Sequence, residues 1–336
     1  MFFFEKPRYG VFAKPIFNLI VDEVTGNEML LVTTHQVLHH QLRLSRILRF
    51  LNGVFEVYNI RSALRLIKKM GFAGGVEGAL VVNFNYDYFF LPKAMRRQAV
   101  DFTILNDDFV AQARLFKGAH VKKSIDTMAR KTKVNLAVSY PILKSIDRDN
   151  KAIFLPWADG EFKFLIKTED ERNKVLFWGH IDRRVDFELV RYIASSCPEF
   201  IFDFVGPVAD SAKVISATLE RDLENVVFSG VKDLSEININ RYFCSIIPYK
   251  SGVADIEAVT ASNKTFRILS YGLPLITYGM PSFIECPVVF KSASYADMVS
   301  NLKTVNLQIY DLQNELSQVV SQNTEEARYR FLMDAI

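Results

Sequence analysis

Cysteine is scarce in this chain of 336 residues: there are only three, Cys197, Cys244 and Cys286, and they lie far apart. That spacing excludes a disulfide framework and a cysteine-built metal site, and it points to reduced core thiols in a cytosolic protein. Long apolar runs are missing too, and none approaches the ~20 residues that cross a bilayer. The apolar Met1–Phe4 is followed at once by Glu5, Lys6, Pro7 and Arg8, which is not the pattern of a signal peptide. No internal repeat and no low-complexity tract stands out.

What is present is a large core. A hydrophobic fraction of 49% beside 24% charged residues is that of a soluble globular protein, and 28 phenylalanines make its core unusually aromatic. The length suits two domains. A formal net charge of +3 conceals an asymmetry: residues 1–160 carry 23 Lys+Arg against 14 Asp+Glu, or +9, and the remainder carries 18 against 24, or −6. The basic half is expected to face something anionic, such as a phospholipid headgroup or a lipid diphosphate. Nucleic acid is not expected, because the basic residues are dispersed and no binding motif accompanies them.

The second half alternates between short apolar runs and helical spacing. Strands are predicted at Val175–Trp178, Phe200–Val205, Val226–Phe228, Phe243–Ile247, Leu275–Thr277 and Val288–Phe290, with helices over 186–196 and 214–223. Three of these strands run into Gly179, Gly206 and Gly230, and the absence of a side chain there suits close approach of a ligand. In the first half, strands are predicted at 29–34, 54–57, 79–84, 102–105, 135–138 and 152–155, with a basic helix over 41–51 presenting Arg43, Arg46 and Arg49. Residues 307–333 read as helical. Such βα alternation is that of parallel, doubly wound sheets, whose ligands bind at the carboxyl ends of the strands.

The segment from Ser262 to Thr277 is the most informative. Ser262 or Asn263 is suited to cap a helix, Gly272 to its left-handed C-terminal position, and Pro274 stops it before a buried strand. A capped helix start that carries Lys264 is a ready anion site.

In this order and spacing, four blocks resemble the GT-B glycosyltransferases, in particular the family-4-like (group 1) enzymes of bacterial surface polysaccharide assembly. Asn263-Lys264 through Gly272-Leu273-Pro274 is similar to their donor-domain segment "NK…EyLa.G.P". Val175–Asp186 resembles "vlf.G.i..r.D", and Asn225–Gly230 with Ile246–Tyr249 resembles "nv.f.G" and "iiPy". Lys133–Ser139 followed by Ala152–Asp159 resembles "aD.v...S" and the interdomain "lpnGvD". Three departures stand beside these. Arg267 occupies the place of a glutamate that holds the nucleotide ribose, Trp157-Ala158 that of an Asn-Gly pair, and Lys133 that of an aspartate.

The resemblance implies an α/β protein of GT-B type, with two Rossmann-like doubly wound domains facing across a cleft. Residues 1–158 would bind the acceptor, 159–305 a nucleotide-sugar, and 306–336 would pack back on the first domain as a C-terminal helix. The implied activity is transfer of a sugar, of hexosyltransferase type, from a UDP- or GDP-sugar to a saccharide acceptor, lipid-linked in capsule or O-antigen assembly. Two alternatives are a GT-B-like nucleotide-sugar epimerase and a catalytically silent module that binds a saccharide or a partner.

Glycosyl transfer requires stabilisation of the leaving diphosphate and removal of the acceptor's proton. For the first, the candidates are Lys264 with Ser262 and Asn263, then Arg267, Gly179, Arg183, Lys250 and Tyr249. For the second, Asp107 and Asp108 follow the strand 102–105, and either is placed to act as base or to cap the next helix. His35, at the end of the first predicted strand, is a candidate to bind the acceptor or shuttle a proton. No metal and no cofactor is expected, the nucleotide-sugar being a co-substrate. The expected location is the cytoplasm, with the basic half against the inner face of the cell membrane.

Overall fold

The computed structural model describes residues 17–21, 28–32, 80–83, 100–106, 108–112, 118–158, 161–166, 172–262 and 264–335. His35, Asp107 and Asn263 lie outside the described residues, as do the basic helix predicted over 41–51 and the strand predicted over 54–57. The chain divides into two units, residues 1–154 with 332–336, and residues 155–331.

The first unit holds a six-stranded sheet: β1 (Phe17–Val21), β2 (Glu28–Val32), β3 (Leu80–Asn83), β4 (Val100–Leu105), β5 (Thr132–Ala137) and β6 (Lys151–Ile153), in chain order. β1, which the sequence pattern had not disclosed, runs antiparallel to β2, and the other pairings are parallel. Helices α1 (Phe109–Gln112) and α2 (Gly118–Ala129) connect β4 to β5, and α3 (Tyr140–Ser145) connects β5 to β6. Phe102, Ile104 and Leu136 are fully buried, as the centre of a parallel sheet requires. Lys133, the residue that departs from the resemblance, pairs with Asp101 of the neighbouring strand at 2.7 Å.

The second unit is built on β7 (Lys174–Trp178), β8 (Ile201–Val205), β9 (Val226–Gly230), β10 (Tyr242–Pro248), β11 (Leu275–Tyr278) and β12 (Val289–Ser292). All pairings are parallel, in the order β12-β11-β10-β7-β8-β9. The connecting helices are α4 (Phe187–Ser196), α5 (Lys213–Asp222), α6 (Ala254–Glu257) and α7 (Thr265–Ser270), and α8 (Tyr295–Gln308) follows the last strand. α4 shows why the pattern was readable: Phe187, Leu189, Val190 and Ile193 are buried on one stripe, and Asp186 caps the start by accepting from the Leu189 amide at 3.1 Å.

The phenylalanines fill this core. Phe177, Phe204 and Phe228 stack across three adjacent strands at centroid separations of 5.2 and 5.1 Å, and Phe200 meets Phe243 at 4.7 Å. Each buried ring contributes roughly 1.5–3 kcal/mol of transfer free energy. The helical stretch predicted over 307–333 is three helices, α8, α9 (Gln313–Ser321) and α10 (Glu325–Asp334), the first beginning at Tyr295.

Candidate functional site

Strand order in the second sheet reverses between β7 and β10, and at such a switch point the carboxyl ends of the strands leave a crevice that ligands occupy. The chain after β7 is sewn across this edge. Gly179 N–H donates to the Val205 carbonyl at 2.9 Å and Ile181 N–H to that of Pro207 at 3.0 Å, at the end of β8. On the other side, Asp186 N–H donates to the Pro248 carbonyl at 2.8 Å and Lys250 N–H to that of Arg184 at 2.9 Å, at the end of β10. The loop 179–186 therefore has little freedom of its own.

Lys264 is delivered to this edge. A Cβ placed on Gly179 would lie 2.2 Å from Lys264 Nζ, so the ammonium occupies the space that the missing side chain leaves. Nζ also lies 5.7 Å from the Trp178 ring centroid, and the Arg267 guanidinium carbon lies 5.1 Å from it. Trp178 is itself fixed, its Nε1 donating to the Lys232 carbonyl at 3.0 Å. Two cations thus converge on one indole at the end of β7, a geometry worth about 0.5–2 kcal/mol per pair.

The helix that carries Lys264 differs from expectation. It spans six residues, Thr265–Ser270, and Lys264 itself holds the N-cap position in helical conformation, in place of Ser262 or Asn263. Ser262 is engaged with Thr265: its amide donates to Thr265 Oγ1 at 3.0 Å, and its carbonyl accepts from the Thr265 amide at 3.0 Å. The Ser262 and Thr265 amides are thus engaged within this turn, and the Lys264 ammonium is the cation that the turn brings to the edge. Gly272 takes the left-handed conformation expected of it, with φ +78°.

The three strand-end glycines serve different ends. The space at Gly179 receives Lys264, while a Cβ on Gly206 would lie 1.8 Å from the Gly179 carbonyl oxygen. Gly206 therefore lets two strand ends meet rather than admitting a ligand. Only at Gly230, of these three, is the space open, with nothing within 4 Å.

The remaining sequence-derived candidates are distributed along the same edge. Arg183 is exposed in the loop 179–186. Beside it Arg184 grips Asp182 through two nitrogens, at 3.0 and 2.8 Å, and lies 5.8 Å from the Tyr249 ring centroid. Burial acts to raise the Asp182 pKa, and the hydrogen bonds and charge of Arg184 outweigh it, so the carboxyl sits below its ordinary value. Burial raises that of the Tyr249 phenol, which stays a neutral donor. Lys250 is exposed just beyond β10. Arg267 is neither fully solvated nor free to turn, because Nη2 lies 3.8 Å from Asp233 Oδ2 while the guanidinium faces Trp178. Nothing in the local sequence marks Asp233, or Trp178, which reads only as the end of an apolar run, as part of this edge.

In the first unit, Asp108 follows β4 and accepts from the Ala111 amide at 2.9 Å, so it caps α1. Among the described residues no group of three or more His, Cys, Asp or Glu side chains is placed to hold a metal ion. No described helix is long and apolar enough to cross a membrane.

Among solved structures, the chain is similar to WaaG, a glycosyltransferase involved in lipopolysaccharide biosynthesis, at 13% identity over 82% of each chain with a TM-score of 0.50. This likeness shows the fold: the chain is an α/β protein of GT-B type. HepE of Anabaena, solved in complex with UDP, matches at 13% identity over 72% of each chain with a TM-score of 0.49. TarM of S. aureus matches at 13% identity and a TM-score of 0.47, and the 70% of this chain that aligns spans 50% of TarM. No protein-family model matches the chain, and no curated protein matches it in sequence.

Proposed function

We propose that the chain is a glycosyltransferase that moves a sugar from a UDP- or GDP-sugar to a saccharide acceptor. The observation that carries this reading is the Lys264 ammonium seated in the space of Gly179, at the switch point of a sheet of GT-B type. A point charge there is suited to the negative charge that builds on a departing diphosphate. In the transfer, the acceptor oxygen bonds to the anomeric carbon as the bond from that carbon to the diphosphate oxygen breaks. The electron pair leaves with the diphosphate, and the acceptor's proton passes to a protein base.

Asp107 is the proposed base, since Asp108 spends an oxygen on the helix cap; His35 is proposed to bind the acceptor. Lys250 and Arg183, both exposed on the same edge, are proposed as further diphosphate contacts. The basic first half is proposed to rest on an anionic membrane that carries a lipid-linked acceptor.

Titration with UDP and GDP, followed by calorimetry, tests the donor assignment. Binding by the wild type is expected, and Lys264→Ala is expected to weaken it about 10- to 100-fold, as loss of a charge-assisted bond of 1.5–3 kcal/mol implies. Equal affinity in the variant would overturn the reading.

A further inference from the structure

We propose that Arg328 is a positioning residue that fixes the helix bearing Lys264 to the segment where the chain enters the second unit. A helix of six residues, as α7 is, is far shorter than the ~12–15 residues that persist unaided in water. Its place must therefore be imposed from outside.

Its C-terminal end is held by two contacts. Lys163 N–H donates to the Ser270 carbonyl at 2.8 Å, and Gln313 Nε2 donates to the Gly272 carbonyl at 3.0 Å. The middle is held through Phe266, which is 1% exposed and lies between Lys264 and Arg267 in sequence. The Arg328 guanidinium carbon lies 5.7 Å from the Phe266 ring centroid. The same guanidinium donates to three acceptors: the Leu155 carbonyl at 2.8 Å, the Pro156 carbonyl at 3.1 Å and Asn323 Oδ1.

The neighbouring backbone completes the arrangement. Ala158 N–H donates to the Asn323 carbonyl at 2.8 Å, and Ala158 bridges Thr324 in parallel. Leu155 is the first residue of the second unit, and the chain leaves that unit after Phe331. Arg328 thus ties together the incoming segment, the outgoing helix α10 and the core face of α7. A planar fork of five donors meets three acceptors and a ring at once, which the single ammonium of lysine does not do.

The affinity arm of the test rests on the donor-site reading of Lys264; the exchange arm does not. In full-length Arg328→Ala, hydrogen exchange of the amides of residues 265–270 is expected to accelerate about tenfold, with β7 and β8 unchanged. An unchanged rate, or a uniform rise across the second unit, would overturn the proposal. The UDP dissociation constant is expected to rise about tenfold, since small misplacement of a charged group is costly. Arg328→Lys should fall between, and added methylguanidinium should restore the alanine variant. UDP affinity within twofold of a wild type that does bind would also refute it. Should the wild type bind neither UDP nor GDP, the donor reading fails and the exchange arm still decides. If Arg328→Ala does not fold, Arg328→Lys and Asn323→Ala carry both measurements.

Discussion

Gly179 and Lys264 form the pair on which the site turns, and they can be separated by one methyl group. In Gly179→Ala the new Cβ meets the far end of a flexible side chain at 2.2 Å, so the lysine moves aside while the backbone stays. Thermal stability should change by less than about 1 kcal/mol, as for most substitutions without a backbone conflict, and nucleotide affinity should drop as in Lys264→Ala. Gly206→Ala is the contrasting case. Its Cβ meets the Gly179 carbonyl oxygen at 1.8 Å, a backbone atom that cannot turn away. A loss of about 2–4 kcal/mol in chemical denaturation is expected.

Asp182 makes a pH-dependent contribution to stability. Its carboxyl pKa is lowered in the folded chain, where Arg184 outweighs the opposing effect of burial. The stabilisation is therefore present above the unfolded value of about 4 and lost as pH falls through the lower folded value. Asp182→Asn should cost about 0.2–1 kcal/mol at neutral pH, the range of a partly exposed pair. The difference from wild type should vanish in unfolding curves taken at progressively lower pH below about 4. A constant difference at all pH values would assign the effect to packing alone.

Among the elements, α7 is the one whose shape matters most to the site and whose sequence signals were most mixed. Gly272 and Pro274 marked its end correctly, because a left-handed residue followed by a ring-locked one has few structural uses. Its beginning departs from what the residue types suggest. Ser262 has the chemistry of a cap, but its amide and carbonyl are both turned to Thr265, a local pairing that no pattern of residue types discloses. Gly272→Ala should destabilise the chain by about 1–3 kcal/mol, since φ is +78° and the added carbon would lie 2.7 Å from the Lys163 carbonyl oxygen. Calorimetric unfolding checks this, and a neutral outcome would mean that the turn re-forms in another conformation.

Elsewhere, legibility followed punctuation. Each strand of the second sheet up to β10 ends at or beside Gly or Pro, and these ends were placed within a residue or two. Between Tyr295 and Asp334 there is neither Gly nor Pro, and the breaks that separate α8, α9 and α10 went unseen. The partners of α7, namely Lys163, Gln313 and Arg328, come from distant parts of the chain, so the source of its placement lay beyond any local reading.

In the whole molecule, the order β12-β11-β10-β7-β8-β9 puts the switch point at the carboxyl ends of β7 and β10, where sheets of this kind bind ligands. Local patterning forecast the strands; their order, which brings Gly179 beside Lys264, came only from the fold. Of the acid–base candidates, only Asp108 is described, and its cap was one of the two readings that the sequence left open. If a nucleoside diphosphate binds as proposed, protection from hydrogen exchange should gather at the carboxyl ends of the strands. It should appear in residues 178–186, 230–236 and 249–252, and the opposite ends at Lys174, Ile201 and Tyr242 should be unaffected. The charge asymmetry between the two halves is +9 against −6. It predicts salt-sensitive co-sedimentation of the full chain with anionic vesicles, which should be lost at ionic strength where the screening length falls to ~3 Å, near 1 M salt.

The Lys264 ammonium beside Gly179 is proposed to hold the diphosphate of a nucleotide-sugar. The most direct measurement is a parallel calorimetric titration of UDP and GDP into wild type, Lys264→Ala and Gly179→Ala. Wild type should bind at least one of the two, and both variants should lose that affinity about 10- to 100-fold while remaining folded. Wild-type affinity in either folded variant, or no binding of either nucleotide by the wild type, would contradict it.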